Sequence, residues 1–260
     1  MTAKKLKNAP LIEAIFELRW ELSKKPDGRQ FDPHHKILLG IIYEKVKDDY
    51  PFHEQLPSAD VPEGFANYIV QHRFRTDKDG WPLIQLGPGI ITLNDTGRYS
   101  WTDFKERIEK VLKVLFDADP KFIEIIPDRL ILRYVNAIEF DFGKNKVLDF
   151  LKKEMKLNFN IDNKLFKATN VDDQPSSFNL ISSFPSLQPK GEIQLKFSRG
   201  KKKNGEVKDA LGWDMIVQST GVDVPKDESG ILKWIDSAHD LVECWFFGIV
   251  DGDLRKSFDK

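Results

Sequence analysis

The chain has 260 residues, 40% of them hydrophobic and 12% aromatic, with 19 Phe and 6 Trp. That is enough bulky apolar volume for one large domain or two closely packed lobes, and too much for a largely disordered chain. Forty basic against 41 acidic residues leave a formal net charge of −1, so no global field draws the protein to nucleic acid or an anionic membrane, and such a partner has to be met by a local patch. A lone cysteine, Cys244, excludes an intrachain disulfide and a thiolate zinc cluster and fits a reducing cytoplasm.

Met1 to Lys7 is basic but runs straight into Asn8-Ala9-Pro10 without the apolar core of a signal peptide, and no apolar run reaches the ~20 residues of a membrane span. From Leu11 to Glu21, Ile12, Ala14, Phe16, Leu18 and Trp20 alternate with Glu13, Glu17, Arg19 and Glu21, the period of a half-buried strand. Asp32-Pro33 supplies an N-cap and an N1 proline for a helix over 33–49 with Leu38, Ile41, Ile42, Val46 and Tyr50 on one stripe. Tyr68 to Arg75 reads as a strand, Asp77-Lys78-Asp79-Gly80 as a turn, and Trp81 to Leu86 as the return strand. Gly87-Pro88-Gly89 interrupts this before Ile90 to Leu93. Ser100 caps a second helix striped by Trp101, Phe104, Ile108, Val111, Leu112 and Leu115.

The second half repeats this order. Arg129 to Phe142 is a strand, Val147, Leu148, Leu151 and Met155 are a helical stripe, and strands follow at Phe178 to Phe184, Glu192 to Ser198 and Trp213 to Gln218. A long helix over 229–250 closes the chain, apolar over more than one stripe and therefore expected to be buried on two sides. The expected fold is α+β, with two pseudo-repeated strand, helix, strands, helix halves over 1–122 and 123–260. Together they form antiparallel sheet on long helices, in the manner of TATA-binding-protein saddles or helix-grip folds. The junction falls at 118–128, between Pro120 and Pro127. The least regular segments are expected at Glu54 to Gly64 and Asn160 to Ser177.

No motif carries catalysis. His34, His35, His53, His72 and His239 form no metal-ligand spacing, so neither metal nor cofactor is expected. His34-His35 is expected to face solvent and His239 to be a hydrogen-bonded core histidine. Cys244, inside an apolar helix, is expected to be buried. No nucleophile elbow or phosphate loop is present, and Gly87-Pro88-Gly89 lacks the lysine of such a loop.

The most suggestive pattern is charge at alternating strand positions. Glu13, Glu17, Arg19, Arg73, Arg75, Arg133 and Lys196 are candidate ligand-binding residues if they share one sheet face, where Arg and Lys suit a phosphorylated ligand and carboxylates a metal. A solvated polar face is the plainer alternative. Arg199, Lys201, Lys202 and Lys203, near Asn204-Gly205, form a basic hairpin tip, a candidate contact for nucleic-acid backbone or an acidic protein.

Lys7-Asn8-Ala9-Pro10-Leu11-Ile12-Glu13-Ala14-Ile15-Phe16-Glu17-Leu18-Arg19 resembles the opening signature of a sporadically distributed bacterial family of similar length. Gln85 to Gly89 with Asn94, Tyr99, Trp101 and Phe104, and Trp234 to His239 with Phe246, are similar to later stretches of that family. The resemblance implies no established activity, cofactor or site residue. Its patchy distribution is like that of mobile or antiviral-defence genes. The expectation is a non-enzymatic interaction or regulatory protein of the bacterial cytoplasm with a protein partner. A triphosphate-hydrolysing or ligand-binding helix-grip protein and a nucleic-acid-binding saddle are the alternatives.

Overall fold

The computed structural model describes residues 6–62, 64–96, 99–117, 124–204 and 206–259, with 203 and 204 described by backbone alone. The expected junction at 118–128 and the division at 122/123 fall largely outside these residues. One nine-stranded antiparallel sheet organises the chain. Its strands are β1 (Leu11–Trp20), β4 (Phe52–Gln55), β5 (His72–Arg75), β6 (Leu83–Gly87), β7 (Ile90–Asp95), β8 (Pro127–Glu139), β9 (Asn179–Leu187), β10 (Lys190–Asn204) and β11 (Glu206–Thr220), in the order β4-β5-β6-β7-β1-β8-β11-β10-β9. The dipeptide strands β2 (Ser23–Lys24) and β3 (Gln30–Phe31) form a separate small hairpin. The helices are α1 (His35–Val46), α2 (Trp101–Phe116), α3 (Val147–Glu154), α4 (Asn163–Thr169), α5 (Glu228–Val250) and α6 (Asp253–Phe258). Among them none is long and apolar enough to cross a membrane.

Period-two alternation decides the layers. In β1, Ala14, Phe16, Leu18 and Trp20 are buried together with Leu38 and Ile42 of α1, Phe104 and Ile108 of α2, and Ile231 and Ile235 of α5 in one core cluster. The same parity continues across the sheet through Phe74, Ile84, Leu86, Ile91 and Leu93, and on the other side through Leu130, Leu132, Met215, Val217, Ile193 and Leu195. Core and helices therefore lie on one face, and the opposite face carries Glu17, Arg19 and their register partners.

The ends of the helices follow from the sequence as read. Ser100 Oγ accepts the Asp103 N–H at 3.4 Å and Asp227 Oδ1 accepts that of Gly230 at 2.8 Å, so α2 and α5 are each capped. Asp32 also works at the start of α1, although the helix begins later than expected. One carboxylate oxygen accepts the His34 N–H at 2.8 Å, and the other accepts Trp20 Nε1–H at 3.1 Å and Gly89 N–H at 2.9 Å. A single buried carboxylate thus ties together the end of β1, the β6–β7 turn and α1.

Several expectations need correction. Of the expected strand from Tyr68, only His72–Arg75 is strand, because Tyr68 sits at φ 60° and turns the chain before it. The segments expected to be least regular hold a 3-10 turn at Pro57–Asp60 and the helix α4, capped by Asp162. His35 is buried rather than exposed, and Cys244 is exposed rather than buried. In α5 the buried stripe is Ile231, Trp234, Ile235, Ala238, Val242, Ile249 and Val250, touching β8 and β11 with α2 and α6 alongside. Trp245, Phe246 and Phe247 form a half-exposed aromatic band that accounts for the excess apolarity.

Candidate functional site on the open sheet face

The face that no helix covers can be read row by row from the strand register. Glu54, Arg73, Gln85, Thr92, Glu17, Ile131, Gln218, Glu192 and Pro185 are successive Cα partners and form one row across all nine strands. The adjoining rows bring Arg19 opposite Arg129 and Ile15 opposite Arg133, and set Glu13, Val135, Asp214, Lys196 and Ile181 in line.

Glu13, Glu17, Arg19, Arg73, Arg75, Arg133 and Lys196 therefore share a face. They do not line one small pocket. Six interstrand spacings of about 4.8 Å put β5 and β10 roughly 29 Å apart, and Lys196 lies four residues along β10 from the row of Arg73.

Hydrogen bonds divide the face into three groups. On the β4 side, Glu54 takes Arg75 at 3.2 Å, and Arg73 Nε–H donates to Gln85 Oε1 at 2.8 Å. Gln85 Nε2–H donates to Thr92 and Asn94, and Asn94 Nδ2–H donates to Glu13 at 2.7 Å. Thr92 and Asn94 are buried here although no helix lies over them. Near the centre Glu17 pairs with Arg19 at 2.6 Å, and Arg19 also lies over the Tyr68 ring at 5.3 Å. On β8 and β11, Arg133 pairs with the buried carboxylate of Asp214, Arg129 Nη2–H donates to Gln218 Oε1 at 3.1 Å, and Gln218 Nε2–H donates to Glu192.

The face is only partly self-neutralised: among the described residues Lys196 has no ion pair, Glu13 and Glu192 are met by amides alone, and so is Arg129. Among the described residues its hydrogen-bond partner is an uncharged amide, it makes no ion pair, and its Nε is buried without a partner. It stands directly across from another guanidinium, Arg19. Like charges at opposed positions cost stability, although here the side chains diverge, Arg19 to Glu17 and Tyr68 and Arg129 to Gln218; a guanidinium bound only by an amide is suited to take a carboxylate or phosphate group. Sequence reading passed over Arg129, Asp214 and Gln218. The parity of Arg129 with Arg133 was visible, but its confrontation with Arg19 depends on the β1–β8 register.

In the basic segment, Arg199–Asn204 belongs to β10 and Glu206–Lys208 to β11. Sheet pairing to β8 stops at Glu139↔Ala210 and pairing to β9 at Asn179↔Ser198, so β10 and β11 run on past their neighbours as a projecting two-stranded ribbon. Its charges separate. Arg199 lies over Phe142 at 4.4 Å and pairs with Asp209 at 2.7 Å, Lys202 Nζ donates to the Ala137 carbonyl, and Lys208 pairs with Glu139. Lys201 is exposed. Gly205 and the side chain of Lys203 lie outside the described residues.

The histidines also converge in ways their spacing hides. His35 from α1, His53 from β4 and His72 from β5 meet, with His53 Nε2 and His72 Nδ1 3.1 Å apart and the His35 and His72 rings at 5.9 Å. Burial, and then the neighbouring His53 and His35, push the His72 pKa down to about 4, and burial lowers that of His35. Among the described residues no set of three His, Cys, Asp or Glu side chains is placed to hold a metal ion.

His239 stacks on Trp101 at 3.8 Å, and its Nδ1 meets Tyr134 Oη at 2.9 Å, which in turn meets Tyr99 Oη at 2.8 Å. Burial holds the His239 pKa near 4 and raises those of both tyrosines. This chain of polar groups bridges β8, α5 and the start of α2 beneath the sheet, on the side away from the arginines. No family model matches the chain, and no curated protein matches it.

Proposed function

We propose that this is a non-catalytic interaction protein that uses the open sheet face, centred on Arg19, Arg129 and Arg133, to hold an acidic segment of a protein partner. The observation that carries this reading is Arg129, whose strand position lies opposite Arg19 and whose hydrogen-bond partner is an amide rather than a carboxylate. An acidic side chain arriving from a partner would pair with its guanidinium. The strand order supports reading the chain as two halves, each running strand, helix, strands, helix and meeting at β1–β8, like a saddle or helix-grip fold with its free face available. A cytoplasmic accessory role in a defence or other mobile system is the setting that the family resemblance implies.

The test compares tagged wild-type protein with Arg129→Glu, purified side by side from the native host at low salt. A stoichiometric protein companion that the variant loses supports the reading. A companion equally retained by the variant overturns it, as does hydrolysis of nucleoside triphosphates by the purified wild-type chain. The latter is the signature of the triphosphate-hydrolysing helix-grip alternative, in which Glu13, Glu17, Arg19, Arg73, Arg75, Arg133 and Lys196 would line the site. Nucleic-acid binding would show as affinity falling steeply with salt.

A further inference from the structure

We propose that the protein forms a twofold homodimer by pairing β9 with β9 of a second copy, extending the sheet across the axis. The proposal concerns the edge of the sheet and is independent of the partner reading for its open face.

The two edges of the sheet differ in kind. At one end β4 is four residues long, carries His53 and Glu54, and passes at once into the Pro57–Asp60 turn. A short, charged edge that soon turns away resists further pairing. At the other end β9 runs nine residues, Asn179–Leu187, without a single charge. Its one neighbour in the sheet is β10. Ile181 is 53% exposed, Phe184 44% and Leu187 92%. Phe184 touches Trp245 at 5.5 Å, so the apolar edge continues into the half-exposed aromatic band of α5.

A long, uncharged, apolar edge strand is a template for another strand. A second copy fits it for reasons of symmetry and charge. Strands related by a twofold run antiparallel, which is how every pair in this sheet is built. A twofold at Ser183 sets Ile181 against Pro185, Ser182 against Phe184 and Asn179 against Leu187, so no like charges confront each other. Pro185 brings no N–H to the new ladder, and its place near an edge is where a sheet tolerates proline. Only one edge of each chain is open in this way, so pairing closes at two copies.

Sedimentation equilibrium of the full chain, with Ile181→Lys and Leu187→Lys as variants, tests the proposal. Both side chains are largely exposed, so each variant should keep the wild-type far-UV circular dichroism spectrum and unfold cooperatively, which reports that the fold is kept; its midpoint falls only by what dimerisation contributes. The expected result is twice 30.1 kDa for wild type and 30.1 kDa for each lysine variant. Ser183→Cys in a Cys244→Ser background should also form a disulfide-linked dimer under mild oxidation, because the axis places that position beside itself. A wild-type mass of one chain at all concentrations up to about 100 μM, well above the Kd of a stable dimer, overturns the proposal. So does a dimer that both lysine variants retain.

Discussion

Replacing Asp32 by alanine should be among the most damaging single changes outside the apolar core. The carboxylate is 7% exposed and accepts three hydrogen bonds, from Trp20 Nε1–H, Gly89 N–H and His34 N–H. Removing it strands the first two donors away from water, whereas the His34 N–H, at the half-buried start of α1, is open to solvation. Hydrogen bonds to a charged acceptor contribute about 1.5–3 kcal/mol each, so two stranded donors put the loss at roughly 3–6 kcal/mol. Asp32→Asn keeps one accepting oxygen and turns an amide toward a donor, which should cost roughly 2 kcal/mol. Urea unfolding followed by far-UV circular dichroism measures both, and avoids relying on Trp20 fluorescence, which the substitution itself alters. A loss below about 1 kcal/mol for Asp32→Ala, or an asparagine variant indistinguishable from wild type, would show that water replaces the carboxylate and that the three elements are held by other contacts.

Tyr134→Phe removes the hydroxyl between Tyr99 and His239 and should cost about 1–3 kcal/mol, read as a lower unfolding midpoint. An unchanged midpoint would mean that the two remaining groups find each other or water. The folded pKa values of His72 and His239, about 4 against 6.5 in an unfolded chain, mean that unfolding takes up protons between these values. Stability is then full above pH 6.5 and declines as the pH falls toward 4. Thermal midpoints across that range check this, and histidine proton resonances titrating near 6.5 in the folded protein would refute the neutral rings. Gly87→Ala places a methyl group 2.0 Å from the Ile69 carbonyl oxygen, against backbone that cannot rotate aside. Soluble expression or the unfolding midpoint should fall sharply, by the equivalent of about 3 kcal/mol or more; a midpoint within error of wild type would show that residues 69–70 yield.

Legibility in the sequence followed burial pattern. β1, α2 and α5 were readable because each puts one face in the core and the other toward solvent or the open sheet, so their apolar residues keep a regular period. The outer ends of β10 and β11 were not, because a ribbon that projects beyond its neighbours has no core to face and Arg199–Lys208 carries no alternation to signal it. Tyr68 to Gln71 misled in the opposite direction, since its apolar residues anchor a turn with a left-handed residue rather than a strand. For the site, strand parity placed Glu13, Glu17, Arg19, Arg73, Arg75, Arg133 and Lys196 on one face. Only the strand order spreads them across its width. Arg129 escaped notice because what distinguishes it is a residue from another part of the chain. The same is true of His35, His53 and His72, which have no local signal until α1, β4 and β5 come together.

The β1–β8 ladder places the start of the chain against its middle, with Phe16 opposite Leu132. A ribosome therefore releases β1 more than a hundred residues before the strand that covers its second edge. Until then its paired and unpaired sides differ, with β7 already available and the β8 side bare. A nascent chain in that state resembles an aggregation-prone intermediate, and it is the stage at which a holdase would be needed. Residues 1–117 produced alone should accordingly be insoluble or chaperone-bound, and should become soluble when residues 124–260 are supplied in the same cell.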